Sequence, residues 1–239
     1  MKVVQGSLFF VFFMLSSYSF AEESWYQVEI VLFERLNPTF DGELWQADEY
    51  APRANLIELI PEDEIDDPQV PFSLLPVAKN RLAGTNQAFK LSSAYRPLIH
   101  YSWQQPALER RDSRFVHVQK LDESMQQTNE NLTTEAQEIF EEPAFIEDII
   151  QPNKIIDGSI RIRSGFYLHI DVDLTYFASI PELYRIKSEV DDSIVIDNVA
   201  AIDLDIIPVN LKSSRKVKLN EIHYFDHPMF GLVIQVSRL

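Results

Sequence analysis

Apolar and polar residues alternate over several stretches of this 239-residue chain, and alternation with a period of two marks a strand with one buried face. The clearest case runs from Ile160 to Tyr176. Ile160, Ile162, Phe166, Leu168, Ile170, Val172, Leu174 and Tyr176 share one parity, and Arg161, Arg163, Tyr167, His169, Asp171, Asp173 and Thr175 share the other. A two-residue hairpin at Ser164 and Gly165 would pair Arg163 with Phe166 and set unlike residues on one face, so the unbroken alternation predicts a single strand. At ~56 Å it would outreach the ~45 Å diameter of a compact domain of this size. A bend or bulge is therefore expected, with Gly165 its natural place.

Further strands are predicted at Trp25 to Phe33, Tyr95 to Gln104 and Phe115 to Leu121. A closing antiparallel hairpin is expected over 215–237, its arms Val217 to Phe225 and Phe230 to Val236 joined by the turn-forming run from Asp226 to Met229. Leu75, Ala78, Leu82 and Phe89 stand near helical spacing and predict a helix within Ser73 to Leu91. A capping box from Thr134 to Gln137 predicts a second helix, broken at Pro143. Two acidic stretches, 41–71 and 122–153, read as loops, the second dispensable for folding. The expected fold class is α+β: a single domain, 22–239, whose mainly antiparallel sheet is covered by one or two helices.

The N-terminus sets the compartment. Lys2, an apolar run ending at Leu15, and small residues at Ser19 and Ala21 before Glu22 read as a signal peptide over 1–21. That run is too short to be a good membrane span, and no later segment reaches spanning length. The mature protein is expected to be exported and soluble. With 37 acids against 21 bases and a formal charge of −16, a nucleic-acid partner would require a strong local basic patch. The absence of cysteine excludes disulfides, Cys-ligated zinc, iron–sulfur clusters and cysteine nucleophiles.

Two clusters carry candidate chemistry. Glu221, His223, Asp226 and His227 gather two carboxylates and two imidazoles within one short run, the N and O donors a divalent ion takes. They would serve a metal-dependent periplasmic hydrolase, although they lack the helical spacing of the zincin pattern, and an Asp in a turn has an ordinary structural use. His169, Asp171 and Asp173 share a strand face, either as a general acid beside paired carboxylates or as a salt-bridged surface with Arg161 and Arg163. No nucleophile elbow, phosphate-binding loop or Ser-x-x-Lys motif occurs. No enzyme and no cofactor is expected.

The run from Gly158 to Tyr176, with Tyr167-Leu-His-Ile-Asp-Val-Asp-Leu174 inside it, and the run from Glu221 to Val236, with His223-Tyr-Phe-Asp-His-Pro-Met-Phe-Gly231, resemble the hallmark segments of the CsiV family of periplasmic peptidoglycan-binding proteins. Trp25 to Phe33 and Tyr95 to Pro106 are similar to that family's N-terminal segments. The resemblance implies a non-enzymatic periplasmic factor that binds the cell wall. It also implies promotion of synthesis by a class A penicillin-binding protein, acting with that synthase's outer-membrane lipoprotein activator. Glycan binders stack sugar faces on aromatic rings, which makes Tyr101, Trp103, Trp25 and Tyr167 candidate platforms, with His169 beside Tyr167 on the polar face. The wall is itself anionic, so a basic patch is expected at the contact. Arg161, Arg163, Arg215, Lys216 and Lys218 are the densest basic elements near the family-like segments.

Overall fold

A computed structural model describes residues 24–38, 50–64, 70–122, 154–179 and 206–239. The expected signal peptide, the capping-box helix and the acidic stretch beyond Asp122 lie outside the described residues. Strand β1 (Trp25–Arg35) is followed by a short β2 (Ser73–Leu74), helix α1 (Ala83–Leu91), β3 (Tyr95–Pro106) and β4 (Phe115–Leu121). Then come β5 (Lys154–Arg163), β6 (Leu168–Ser179), β7 (Ile206–Val217), β8 (Ile222–Asp226) and β9 (Phe230–Arg238). They form two antiparallel sheets, one of five strands in the order β2-β3-β1-β9-β8 and one of four in the order β4-β5-β6-β7.

The two sheets stack face to face, because one parity of each supplies the same core. Val28, Ile30 and Leu32 of β1, Trp103 of β3 and Ile234 of β9 meet Ile160, Ile170 and Leu174 of the other sheet in one buried cluster. Each such side chain contributes roughly 1.5–3 kcal/mol by leaving water. The molecule is thus mainly β, and the cover expected from helices comes instead from a second sheet. The one α-helix among the described residues lies on the outer face of the five-stranded sheet, where Phe33 stacks on Phe89 at 4.1 Å and meets Tyr95 edge-on. Gly231 makes room for this stack, since a Cβ there would sit 2.7 Å from the Phe33 ring. Buried Glu29 fixes the start of the helix by accepting the backbone N–H groups of Arg81 and Leu82 and facing His100 Nε2 at 2.9 Å.

Three sequence expectations change. Ile160 to Tyr176 is not one bent strand but a hairpin, with Arg163 paired to His169 and Ile160 to Val172. The parity test excluded only connections with an even number of residues. Five residues separate the paired Arg163 and His169, an odd number that keeps like parity on like face. The parity assignment itself holds for Leu168, Ile170, Val172 and Leu174, all buried, while Phe166 at the hairpin tip is 91% exposed. The C-terminal hairpin is β8–β9, and Arg215 to Val217 belong to β7 in the other sheet. The helix expected over 73–91 is confined to Ala83–Leu91, because Ser73 and Leu74 pair with Gln104 and Trp103 of β3.

Both open sides of the sandwich are bridged. On one side, the segment 50–60, a loop as expected, runs as a strap from the edge of one sheet to the edge of the other. Ile57 exchanges backbone hydrogen bonds with Phe115 and His117 of β4, and Ile60 with Phe72 and with Leu74 of β2. On the other side, Arg215 of β7 donates to the Tyr224 carbonyl of β8 and lies 4.7 Å over the Phe225 ring. Edge strands so covered offer little template for pairing with another chain. Among the described residues no helix is long and apolar enough to cross a membrane.

Leu174→Ala is expected to lower unfolding free energy by about 2–5 kcal/mol, read by chemical denaturation. Phe166→Ala should stay within about 0.5 kcal/mol. A large loss from the second change would place Phe166 in a core rather than at a tip.

Candidate functional site

Sending one parity of β4 to β7 inward leaves the other parity as an outer face, and that face is polar. His117 of β4 lies opposite Ser159 of β5, Ser159 opposite Asp173 of β6, and Asp173 opposite Lys212 of β7. The strap crosses this face at its β5 N-terminal end and walls a cleft of about 340 Å³. Tyr50, Arg53 and Glu58 contribute to it from the strap, and His117, Lys154, Asp157, Ser159, Asp173 and Thr175 from the sheet. Gly158, in a backbone conformation that side chains rarely adopt, lets β5 and β6 approach here. A Cβ on it would fall 2.2 Å from the Asp173 carbonyl oxygen.

The hub of the cleft is Asp157, 4% exposed. Its Oδ1 lies 2.7 Å from His117 Nε2, its Oδ2 accepts Lys154 Nζ at 2.7 Å, and the Tyr50 hydroxyl also donates to it. Burial works to raise its pKa, but the hydrogen bonds from His117, Lys154 and Tyr50 outweigh burial and hold the carboxyl well below the usual carboxylate range. His117 also faces Glu58 through Nδ1. With a carboxylate at each ring nitrogen, both must donate, so the ring is an imidazolium. The hydrogen bond to Asp157 is the main cause that raises its pKa, and Glu58 adds to it against the opposing effect of burial. His117 is thus an ionic latch between strap and sheet.

Next to the hub, Arg53 donates to Asp173 at 3.0 Å and its guanidinium lies 3.9 Å over the Phe115 ring, with Arg161 4.2 Å from the same ring. Lys212 also reaches Asp173, at 3.2 Å. Ser159 is different from these paired groups. It is 1% exposed, and its Oγ finds no hydrogen-bond partner among the described residues.

The residues singled out in the sequence fall into four groups. Arg161 and Arg163 both lie on the outer face but converge on Asp171, each at 2.7 Å, with Ser214 donating to the same carboxylate. Burial opposes these partners, yet they lower the Asp171 pKa to about 2. His169, Asp171 and Asp173 therefore belong to a salt-bridged face, and Asp171 is fully engaged. At the hairpin tip Lys216 Nζ sits 2.8 Å over the Tyr167 ring, Tyr167 is 48% exposed, and His169 Nδ1 lies 3.3 Å from the Tyr167 carbonyl.

Trp103 and Tyr101 require correction as sugar platforms. Trp103 is wholly buried, with its indole N–H donating to Gln105, and Tyr101 packs against the same core, where burial pushes its phenol pKa up. Arg215 is turned onto the β8 backbone, and Lys218 pairs with Glu221 away from the cleft. The four residues of the proposed metal set do not converge either. Glu221 faces Lys218, His223 Nε2 lies beside the Lys218 backbone, Asp226 takes Arg35 and Tyr224, and His227 Nδ1 accepts the Met229 N–H within the turn. Among the described residues no three His, Cys, Asp or Glu side chains are placed to hold a metal ion.

Sequence reading missed His117, Asp157, Glu58, Tyr50 and Arg53. The available signals were a strand-interior glycine at Gly158, and Arg53 as the lone base in an acidic stretch.

A family model described as a peptidoglycan-binding protein, CsiV, matches residues 4–239. No curated protein and no solved structure matches the chain at a significant level.

Linkage fixes the pH behaviour of the latch. The raised His117 stabilises fully below its unfolded pKa near 6.5 and loses that contribution as pH rises through its higher folded value. The depressed Asp157 and Asp171 stabilise above about 3.8 and lose it as pH falls through their lower folded values. The latch is tightest between these limits. NMR titration should give His117 a midpoint above 6.5 that falls in Asp157→Asn, and that variant should lose roughly 3 kcal/mol of stability.

Proposed function

The chain belongs to the CsiV family of peptidoglycan-binding proteins, and from that premise we propose that it is a non-enzymatic periplasmic protein that holds peptidoglycan on the outer face of its four-stranded sheet. The observation that carries the placement is a local reversal of charge. In a chain of net charge −16, Arg53, Lys154, Arg161, Arg163, Lys212 and Lys216 on this face and its strap outnumber Glu58, Asp157, Asp171 and Asp173. An anionic polymer approaching an acidic protein is met where the repulsion is locally overcome. Paired strands β5 and β6 give that face an axis of about 20 Å between Asp157 and Arg163, at ~3.3 Å per residue, suited to an extended chain.

Tyr167 with Lys216 over its ring supports contact at the tip, since an exposed aromatic edge beside a cation offers a sugar an apolar surface and a donor. Arg161 and Arg163 act mainly by keeping Asp171 neutralised, so their role in the contact is to leave no bare carboxylate on the face. The cellular role that follows is an adaptor. The wall-bound protein promotes synthesis by a class A penicillin-binding protein together with the lipoprotein activator of that synthase, the five-stranded side with helix α1 on its outer face being the one left for protein contact.

Purified mature protein should co-sediment with isolated sacculi and release as salt screens the contact over a Debye length of ~8 Å near physiological ionic strength. Lys212→Glu combined with Lys216→Glu should weaken co-sedimentation severalfold without unfolding, because Lys212 is 75% exposed and Lys216 is an exposed side chain at the strand end. Unaltered binding by that double variant would remove the outer face as the contact. For the adaptor role, the protein should accelerate glycan polymerisation by the synthase only when the lipoprotein activator is present; equal rates with and without the protein would refute it.

A further inference from the structure

We propose that the cleft between the strap and the β5–β6 strands takes a sugar unit of the glycan strand, a neutral polyhydroxylated ring, and not the peptide part of the wall. The inference rests on the peptidoglycan reading above and narrows it to one chemical class at one place.

Three observations select that class. A cleft of about 340 Å³ lies at the small end of the range that encloses a compact organic ligand, and it suits one or two pyranose rings better than a branched stem peptide. Its charges are already spent on one another. Asp157 is held by His117 and Lys154, Glu58 by His117, and Asp173 by Arg53 and Lys212. A carboxylate entering the cleft would meet three acids, and an ammonium group would meet Arg53, Lys154 and the imidazolium. Either would compete with the ion pairs that centre on buried Asp157, and a partner drawn away from it leaves a buried charge bare, which is the costly direction of change. A neutral ring with hydroxyl groups breaks none of them, and the paired carboxylates and cations still accept and donate hydrogen bonds at their remaining lone pairs and protons.

The third observation points directly to a missing partner. The Ser159 hydroxyl lies in the cleft floor among these groups, almost wholly buried, and is unpaired among the described residues. Buried hydroxyls are ordinarily satisfied, and one left bare at a cavity calls for a partner from outside the protein. A sugar hydroxyl is both donor and acceptor, so it satisfies Ser159 in either rotamer. The neighbouring Thr175 hydroxyl, by contrast, is already committed to Asn210 at 2.7 Å, which leaves Ser159 as the discriminating group.

The test uses the mature protein with two probes, a neutral N-acetylglucosamine oligosaccharide for the glycan and the free stem peptide, measured by calorimetry alongside sedimentation with intact sacculi. The parent should bind the oligosaccharide and show at least tenfold weaker binding of the peptide. Ser159→Ala removes no hydrogen bond among the described residues, so its thermal midpoint should match the parent while its glycan affinity falls about five- to tenfold. Arg53→Ala, which opens the mouth of the cleft, should weaken glycan binding as well. A parent that sediments with sacculi but binds only the peptide, or a folded Ser159→Ala protein that binds glycan as the parent does, overturns this inference and leaves the peptidoglycan reading standing. A parent that fails to sediment with sacculi overturns both.

Discussion

A β-strand must send successive side chains to opposite faces, and the rest of this molecule follows from how that constraint is met. In β5 and β6 the inward parity is apolar at Ile156, Ile160, Ile162, Ile170, Val172 and Leu174, and it packs against the inward parity of β1, β3 and β9. The outward parity is then free of any duty to the core. On the five-stranded sheet that freedom is partly given up to helix α1, which Phe33, Phe89 and Glu29 hold in place. On the four-stranded sheet it remains, and the strap from Tyr50 to Ile60 turns it into a walled cleft.

The strap is held by two kinds of interaction that depend on each other. Backbone hydrogen bonds at Ile57 and Ile60 fix its register against both sheets, and the ionic contacts of Arg53 and Glu58 fix its side chains over the polar face. Asp157 unites them, since Tyr50 comes from the strap, His117 from β4 and Lys154 from its own strand. A buried carboxylate is tolerated only when its partners replace the water it gave up, and here three do. The same network pairs the charges of the cleft with one another, while the buried Ser159 hydroxyl is left without a partner among the described residues. In the proposed binding mode hydroxyl recognition falls to the cleft and attraction of an anionic polymer to the wider face.

Much of the fold was legible because periodicity is local. The alternations at Trp25 to Phe33, Phe115 to Leu121 and Phe230 to Val236 each coincide with a strand, and the burial of Leu168, Ile170, Val172 and Leu174 follows from parity alone. The hairpin between paired Arg163 and His169 escapes the pattern for a physical reason: a connection with an odd number of residues, here Ser164 to Leu168, is invisible to a parity test. Trp103 illustrates a second blind spot, since an aromatic residue on a strand can face either the core or a ligand and the pattern does not distinguish them. The cleft was the least legible part. Its defining contacts join residues 107, 59 and 40 positions apart, between Tyr50 and Asp157, Glu58 and His117, and His117 and Asp157, and no local pattern encodes them. The conspicuous motif from Glu221 to His227 proved to be spread over a strand end and a turn that Arg35 ties down.

In the proposed binding mode the outer face of β4 to β7, with the strap across it, is the surface that meets the wall polymer. Backbone amide chemical shifts of the mature protein, followed while soluble peptidoglycan fragments are added, test it most directly. Shifts should concentrate at Tyr50 to Glu58, His117, Asp157 to Arg163 and Tyr167 to Thr175, with β9 and α1 unchanged. Shifts confined to the β8–β9 turn around Asp226 and His227, or to the helix face of the five-stranded sheet, would contradict it.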